Sequence, residues 1–260
     1  MVEWWELILL SVVQGIAEFL PISSSGHLVV LEHWLDIKSD LSDINIILHA
    51  GTLLAILLVY RQRIFRMLFQ DVRLLGLVVL GTIPAVIFGL GVKLLFEGLL
   101  ESPLIAGVCL PVTAILLFWT DRSIAGELRS DQLSWKQAFG IGCAQAAAVL
   151  PGISRSGSTI AAGLAAGLNR AEAATFSFLL AIPALSGAAV LELASSLSSE
   201  KALQTSVSML VVGALISAVV GWVSLKGLLT ILQKGRLRIF GVWCLILGVV
   251  VLCQFFLSAG

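Results

Sequence analysis

Apolar residues run through this chain in long blocks separated by short polar stretches. Six blocks are roughly Ile44–Tyr60, Leu74–Leu95, Leu104–Thr120, Ala171–Leu193, Thr205–Leu225 and Ile239–Leu257. Each holds about 17–23 mostly apolar residues, which at a rise of about 1.5 Å per residue is enough to cross a hydrocarbon core about 30 Å thick. They predict six transmembrane helices. Two further apolar regions, Met1–Leu35 and Lys136–Leu168, break that pattern. Pro, Gly and Ser interrupt each near its middle and leave halves of about 12–17 residues, too short to cross alone. Such pairs predict re-entrant hairpins, because irregular backbone at membrane depth must be buried in protein or face a polar cavity.

Composition supports this reading. Of 260 residues, 58% are hydrophobic and 12% charged, and the mean hydropathy is +1.04. A soluble domain carries about 25% charged residues, so this chain cannot cover a water-facing surface. It is expected to be an all-α polytopic membrane protein forming one membrane domain over residues 1–260. The 16 basic and 16 acidic residues cancel, which argues against a nucleic-acid partner. Cys109, Cys143, Cys244 and Cys253 lie in apolar stretches without metal-type spacing and read as small buried hydrophobes. The opening MVEWWELILL has no basic flank, so it does not read as a cleaved signal peptide.

Charge in the loops orients the chain. Arg61, Arg63, Arg66 and Arg73 crowd one connection, Arg122, Arg129 and Lys136 the central one, and Lys226, Lys234, Arg236 and Arg238 a third. Eleven of the 16 basic residues thus fall on three alternate loops, against Lys38, Lys93 and Lys201 on the others. Basic loops stay cytoplasmic, which places both termini outside.

The chain also repeats itself. ISSSG at Ile22–Gly26 recurs as ISRSG at Ile153–Gly157, 131 positions on, and at the same offset Gln14 falls on Gln145. Each half then reads as a broken hairpin followed by three spans, residues 1–130 and 131–260. Three is odd, so the second half enters from the opposite side. That is an inverted-topology repeat, with both hairpins meeting near the midplane.

The breaks hold the chemistry. Gln14 and Glu18 are four apart, on one helix face. An acid within an apolar segment is costly and marks function. The stretch PISSSGHLVV at Pro21–Val30 adds Ser23, Ser24, Ser25 and His27. The second break, PGISRSGST, adds Ser154, Ser156 and Thr159 as hydroxyls and Arg155 as a planar cation. Amides at the start of a helix cradle anions, and a guanidinium fork suits phosphate. Glu18 as base or metal ligand, Ser23 or Ser24 as nucleophile, His27 and Arg155 form a kit for phosphoryl transfer on a membrane-embedded substrate. Gln14, Ser23, Ser25, Ser154, Ser156 and Thr159 are candidate substrate contacts. His33, beside Trp34, reads as an interface marker and His49 as a hydrogen-bonded core histidine. The prolines of GTIPAV and AIPALSG read as helix kinks.

The segments QGIAEFLPISSSGH (Gln14–His27) and LPGISRSGST (Leu150–Thr159) resemble the two signature motifs of the undecaprenyl-diphosphate phosphatases, the bacitracin-resistance integral membrane family. ILHAGTLLAILLVYRQRI (Ile47–Ile64) also looks familial, and the resemblance covers the whole chain in order. It implies a hydrolase in the bacterial inner membrane. Such an enzyme releases inorganic phosphate from undecaprenyl diphosphate and leaves undecaprenyl phosphate, the lipid carrier of cell-wall assembly. It also implies a site open to the outer, periplasmic side and a divalent cation, Mg²⁺ or Ca²⁺. Ser24, His27 and Arg155 match the family's catalytic positions. The family's motif has Glu or Gln at position 14. Here it is Gln, which leaves Glu18 to bind metal or act as base largely alone. The division of labour between Ser24 and His27 stays open. Expected partners are the polyprenyl diphosphate and membrane lipids, with a homodimer left open. The rival reading is a polyprenyl-phosphate transporter or flippase, since inverted repeats with broken helices are also transporter architecture.

Overall fold

The computed structural model describes residues 2–37, 41–123, 125–198 and 205–258. Lys38 and Lys201, counted above among the loop charges, lie outside the described residues. Eleven α-helices follow one another among those described: α1 (Trp4–Ala17), α2 (Ser24–Trp34), α3 (Ser42–Val59), α4 (Arg61–Phe69), α5 (Val72–Leu95), α6 (Pro103–Arg122), α7 (Trp135–Ala147), α8 (Arg155–Ala165), α9 (Arg170–Ser198), α10 (Val207–Gln233) and α11 (Arg238–Ser258). There is no strand among the described residues, only an isolated bridge between Leu128 and Leu168. The chain is an all-α polytopic membrane protein.

By length and composition α5, α6, α9, α10 and α11 can each cross a membrane, and α3 with α4 passes the same test only when the two, bent by 77° at their break, are counted as one span. The short helix α4 is not foreseen in the sequence. Arg61, Arg63 and Arg66 follow Tyr60 directly, and charges in hydrocarbon are expensive. The helix therefore turns aside where the apolar block stops. Pro84 and Pro183, read as kinks, lie inside the unbroken helices α5 and α9.

The two interrupted regions form two short helix pairs, α1 with α2 and α7 with α8. Glu3 and Glu6 build a capping box at the start of α1, and Ser134 with Gln137 does so at α7. Pro21 has no N–H to give a helical carbonyl, so α1 cannot run on, and Ser23 restarts the helix as the N-cap of α2. In α8 Ser154 does the same, accepting from the Gly157 N–H at 3.0 Å.

Close packing is set by small residues, as expected where lipid removes the hydrophobic drive between helices. A Cβ on Gly51 would lie 2.4 Å from the Ala214 carbonyl oxygen of α10, and one on Gly142 would lie 2.3 Å from the Gly81 carbonyl oxygen of α5. Hence α3 packs on α10, and α7 on α5. Phe19, in the first break, is fully buried and sits on Gly221 of α10, with its ring centroid 5.8 Å from that of Phe178. Cys109 and Cys244 are buried, but Cys143 and Cys253 are exposed on the outside of the bundle, which corrects the sequence reading of all four as buried. The apolar surround of an exposed bundle residue is lipid, so an apolar neighbourhood in sequence does not require an interior position.

The basic connections gather at one end. Arg63 donates to Ser130 Oγ at 2.8 Å, Arg73 to the Leu133 carbonyl at 2.8 Å, and the Leu237 N–H to Asp121 Oδ1 at 2.7 Å. Toward the end of α11 away from these loops, Trp34 of α2 donates to Gln254 Oε1 at 2.6 Å.

Candidate active site

The two breaks meet inside the bundle. Ser23 has φ +70°, a left-handed conformation costly for a residue with a side chain, and it is held there from both sides. Its Oγ accepts from the Gly26 N–H at 3.3 Å and from the Gly152 N–H of the other break at 3.0 Å. Ser25 Oγ lies 3.4 Å from the same oxygen. The backbones approach so closely that a Cβ on Gly26 would stand 2.7 Å from the Gly152 nitrogen. Gly152 itself has φ +94°, and its Cβ would fall 2.5 Å from the Ala106 carbonyl. Thr113 of α6 clamps the second break by donating to the Gly152 carbonyl at 2.7 Å and accepting from the Ser154 N–H at 3.0 Å.

Four candidate substrate contacts belong to this frame. Ser23, Ser154, Ser156 and Thr159 are buried. Ser154 caps α8 and lies 3.3 Å from Ser156 Oγ, which reaches the Leu20 carbonyl at 3.4 Å. Thr159 donates to the Arg155 carbonyl at 2.8 Å and lies 2.6 Å from Ser177 Oγ. Each of these hydroxyls has a protein partner through which it braces the junction.

Glu18, at the end of α1, is the centre of the cluster. Its Oε1 accepts from Arg155 Nη2 across the junction. Its Oε2 accepts from Ser24 Oγ at 2.7 Å and from Gln14 Nε2 at 3.3 Å. The carboxylate is thus shared by a guanidinium and a hydroxyl, one from each break. Arg155 Nη1 is buried without a partner, as is Gln14 Oε1. Both point to a polar occupant, since buried polar atoms ordinarily find partners.

His27 does not reach this cluster. Its Nδ1 lies 2.8 Å from the Ser23 carbonyl, and its Nε2 receives the indole N–H of Trp243 at 2.8 Å. His49 comes nearer: Nδ1 donates to the Asn45 carbonyl at 2.7 Å, as a core histidine would, yet Nε2 stands 3.9 Å from Glu18 Oε2. Sequence reasoning missed His49, Thr113 and Trp243 at this site. Thr113 and Trp243 are single residues in apolar spans with no local motif around them, and His49, inside the familial-looking segment Ile47–Ile64, reads in sequence as a core histidine. Gln145, the repeat partner of Gln14, has both amide atoms buried without partners.

The arrangement can bind an anion and activate a hydroxyl. The free arm of Arg155 and the first-turn amides of α8 offer donors to phosphate oxygens. A hydroxyl bonded to a carboxylate is the geometry of an activated nucleophile.

Comparison with known proteins agrees along the whole chain. A protein of Rhodopirellula baltica named undecaprenyl-diphosphatase is 47% identical over 251 residues, covering 96% of this chain and 98% of its own length. One of that name from Desulfatibacillum aliphaticivorans is 39% identical, with 96% and 98% covered. Another from Methanosphaera stadtmanae is 37% identical, with 96% and 97% covered. The pattern of the family described as bacitracin resistance protein BacA matches residues 7–250, a stretch that holds both breaks, and the chain belongs to that family.

Proposed function

We infer that this chain is an integral membrane phosphatase that hydrolyses undecaprenyl diphosphate to undecaprenyl phosphate and inorganic phosphate, returning the lipid carrier to cell-wall synthesis. The observation that carries the chemistry is the Glu18 carboxylate, which holds Arg155 from one break and the Ser24 hydroxyl from the other. A transporter is not favoured, because a carrier has no use for a hydroxyl activated by a carboxylate.

In the proposed reaction the terminal phosphate takes the free Nη1 of Arg155 and draws the guanidinium toward itself. Ser24 Oγ attacks the terminal phosphorus as its proton passes to Glu18. The bond from that phosphorus to the bridging oxygen breaks, and the electron pair leaves with undecaprenyl phosphate. Water then attacks the phosphoserine. One proton of that water passes to a phosphate oxygen, the proton on Glu18 returns to Ser24 Oγ, and phosphate departs. One water is consumed per turnover. Ser25 and His49, at the edges of the cluster, complete the set of groups near the phosphates.

The donor set suits a hard cation taken up together with substrate. Gln14 Oε1 is a buried oxygen without a partner beside the Glu18 carboxylate, and no group of three His, Cys, Asp or Glu among the described residues forms a metal cage. Mg²⁺ uses one or two carboxylates plus substrate phosphates. Gln14 and Glu18 would hold Mg²⁺ or Ca²⁺, which when bound neutralises charge on the diphosphate. The purified protein should release phosphate from undecaprenyl diphosphate in detergent, and EDTA should suppress that release until divalent cation is restored. No release with cation present overturns the phosphatase reading. Full release in EDTA overturns the cation.

We propose further that residues 1–130 and 131–260 are inverted repeats. The packing of α1 on α10 and of α7 on α5 is the exchange that such symmetry requires. The basic end of the bundle is taken as cytoplasmic, in a bacterial inner membrane, with the site reached from the periplasmic side. With the native cysteines replaced, single cysteines at positions 62 and 235 should resist an impermeant thiol reagent in intact cells, and one at 255 should react. The reverse pattern would overturn the orientation.

A further inference from the structure

The second break has a stretch of backbone that no helix serves. The Gly152 carbonyl and the Ser154 N–H lie between α7 and α8, and neither takes a backbone partner among the described residues. Buried backbone polar groups need partners, and one hydroxyl supplies both. Thr113 Oγ1, fully buried on α6, donates to the Gly152 carbonyl at 2.7 Å and accepts from the Ser154 N–H at 3.0 Å. Other threonines of the bundle behave differently. Thr82, Thr120, Thr175 and Thr230 each donate to the carbonyl four residues back in their own helix, the ordinary habit of a helical threonine. The chain meets the same need at the first break. Cys244 stands 131 positions after Thr113, the offset between ISSSG and ISRSG, and the same offset carries Pro21 onto Gly152. Cys244, fully buried on α11, has its Sγ 3.9 Å from the Pro21 carbonyl and 3.9 Å from the Ile22 carbonyl. Equivalent positions on two packed helices, α6 and α11, thus face equivalent carbonyls. The grip is firm at the second break, through a hydroxyl, and weak at the first, through a thiol.

We propose that Thr113 is a positioning residue for the phosphatase reaction, fixing the backbone beneath Arg155 so that only the guanidinium moves when phosphate arrives. This rests on the phosphatase reading above. Arg155 follows Ser154 directly and opens α8. Its guanidinium is held by Glu18 and is drawn toward the terminal phosphate during turnover. A side chain swings to a set place only from a fixed root. Ser154 gives that root two ties, its N–H to Thr113 and its Oγ to the Gly157 N–H. Gly152 makes the grip necessary. Its φ of +94° is a conformation that glycine enters freely and also leaves freely. Without the Thr113 hydroxyl, the Gly152 carbonyl and the Ser154 N–H are both left unpaired in a buried place. The break then relaxes toward other partners and carries Arg155 off the line to the terminal phosphate.

The test separates the hydroxyl from the shape. Thr113→Val keeps the shape and removes the hydroxyl, and Thr113→Ser keeps the hydroxyl and removes the methyl. Both are made in the full-length protein and assayed on undecaprenyl diphosphate with Mg²⁺. A misplacement of about 1 Å at a reacting group costs up to about 100-fold. In Thr113→Val, kcat/KM should therefore fall about ten- to hundredfold, with KM raised at least about threefold because Arg155 also binds the substrate. Thr113→Ser should stay within about threefold of native. A merely structural role would lower the folded fraction, which lowers kcat and leaves KM alone. Amide hydrogen exchange of the peptide spanning residues 150–157 reads the clamp without turnover. It should quicken in Thr113→Val and stay slow in Thr113→Ser. Should Thr113→Val fail to fold, Thr113→Cys, which puts at 113 the side chain the protein carries at 244, decides by the same measures with a smaller shift in the same direction. Unchanged kinetics in the variant lacking the hydroxyl, a fall in kcat at native KM, or failure of Thr113→Ser to retain turnover overturns the proposal. Absence of phosphate release by the native protein would instead overturn the phosphatase reading, and the exchange measurement would still judge the clamp.

Discussion

Arg155→Ala will remove nearly all turnover. The guanidinium pairs with the Glu18 carboxylate, with both side chains largely buried at 14% and 5% exposure, and it holds a second, unpartnered nitrogen ready for phosphate. Removing it deletes the counter-charge for the diphosphate and strands a buried carboxylate. Breaking a buried pair from one side costs about 3–5 kcal/mol of stability, and losing a preorganised donor to the transition-state charge separately lowers the rate by roughly 10²–10³-fold. Arg155→Lys should recover little, because an ammonium cannot bridge Glu18 and a phosphate oxygen with one rigid fork. The stranded charge will also lower thermal stability, so the two effects must be separated. Arg155→Ala combined with Glu18→Gln should regain stability without regaining turnover. Retention of more than about a tenth of native kcat/KM in Arg155→Ala, only about 1.4 kcal/mol of transition-state stabilisation, would show that the clamp lies elsewhere.

Ser24→Ala carries the second large effect and decides between two mechanisms. In one, Ser24 attacks and a phosphoserine forms. In the other, Ser24 only orients Glu18 or a phosphate oxygen while water attacks directly. A hydrogen bond to a charged group contributes about 1.5–3 kcal/mol, so its loss alone explains at most about 10²-fold. A lost nucleophile costs more, at least about 10³-fold. Ser24→Cys discriminates again, since a thiol can attack phosphorus but presents a longer, weaker donor to Glu18 Oε2. Rapid quench during turnover, followed by mass spectrometry of the peptide spanning residues 14–33, should show one added phosphate on Ser24. If Ser24→Ala keeps a few per cent of native activity and no phosphopeptide accumulates, water is the nucleophile.

Much of the architecture was legible because hydrocarbon imposes few solutions. Blocks long enough to cross read directly as α5, α6, α9, α10 and α11, and the interrupted blocks read as α1–α2 and α7–α8. The helix α4 was not legible, because its basic residues look like loop charge until the 77° bend is seen. The site was legible in part. Glu18, Ser24 and Arg155 stood out as polar residues inside apolar motifs, and they do converge. The hydroxyls of Ser23, Ser154, Ser156 and Thr159 looked the same in sequence, and the structure adds that each has a protein partner at the junction. A motif reports that hydroxyls are present, and only packing tells which protein groups they meet.

The sequence by itself determined that the chain lives in a membrane, where the helices break, and which ionisable groups are placed at the breaks. These follow from local physics: the cost of charge in hydrocarbon, the missing N–H of Pro21, and caps such as Ser23 and Ser154. The tertiary structure alone decided which groups touch. Glu18 meets Arg155 across 137 positions of sequence, Trp243 meets His27 across 216, and His49 arrives beside Glu18 from a third helix. Those contacts depend on how closely the helices approach, which Gly26, Gly51 and Gly142 set by presenting bare backbone to their neighbours. Contact across such separations is a property of the packed bundle, and no local pattern of residues encodes it.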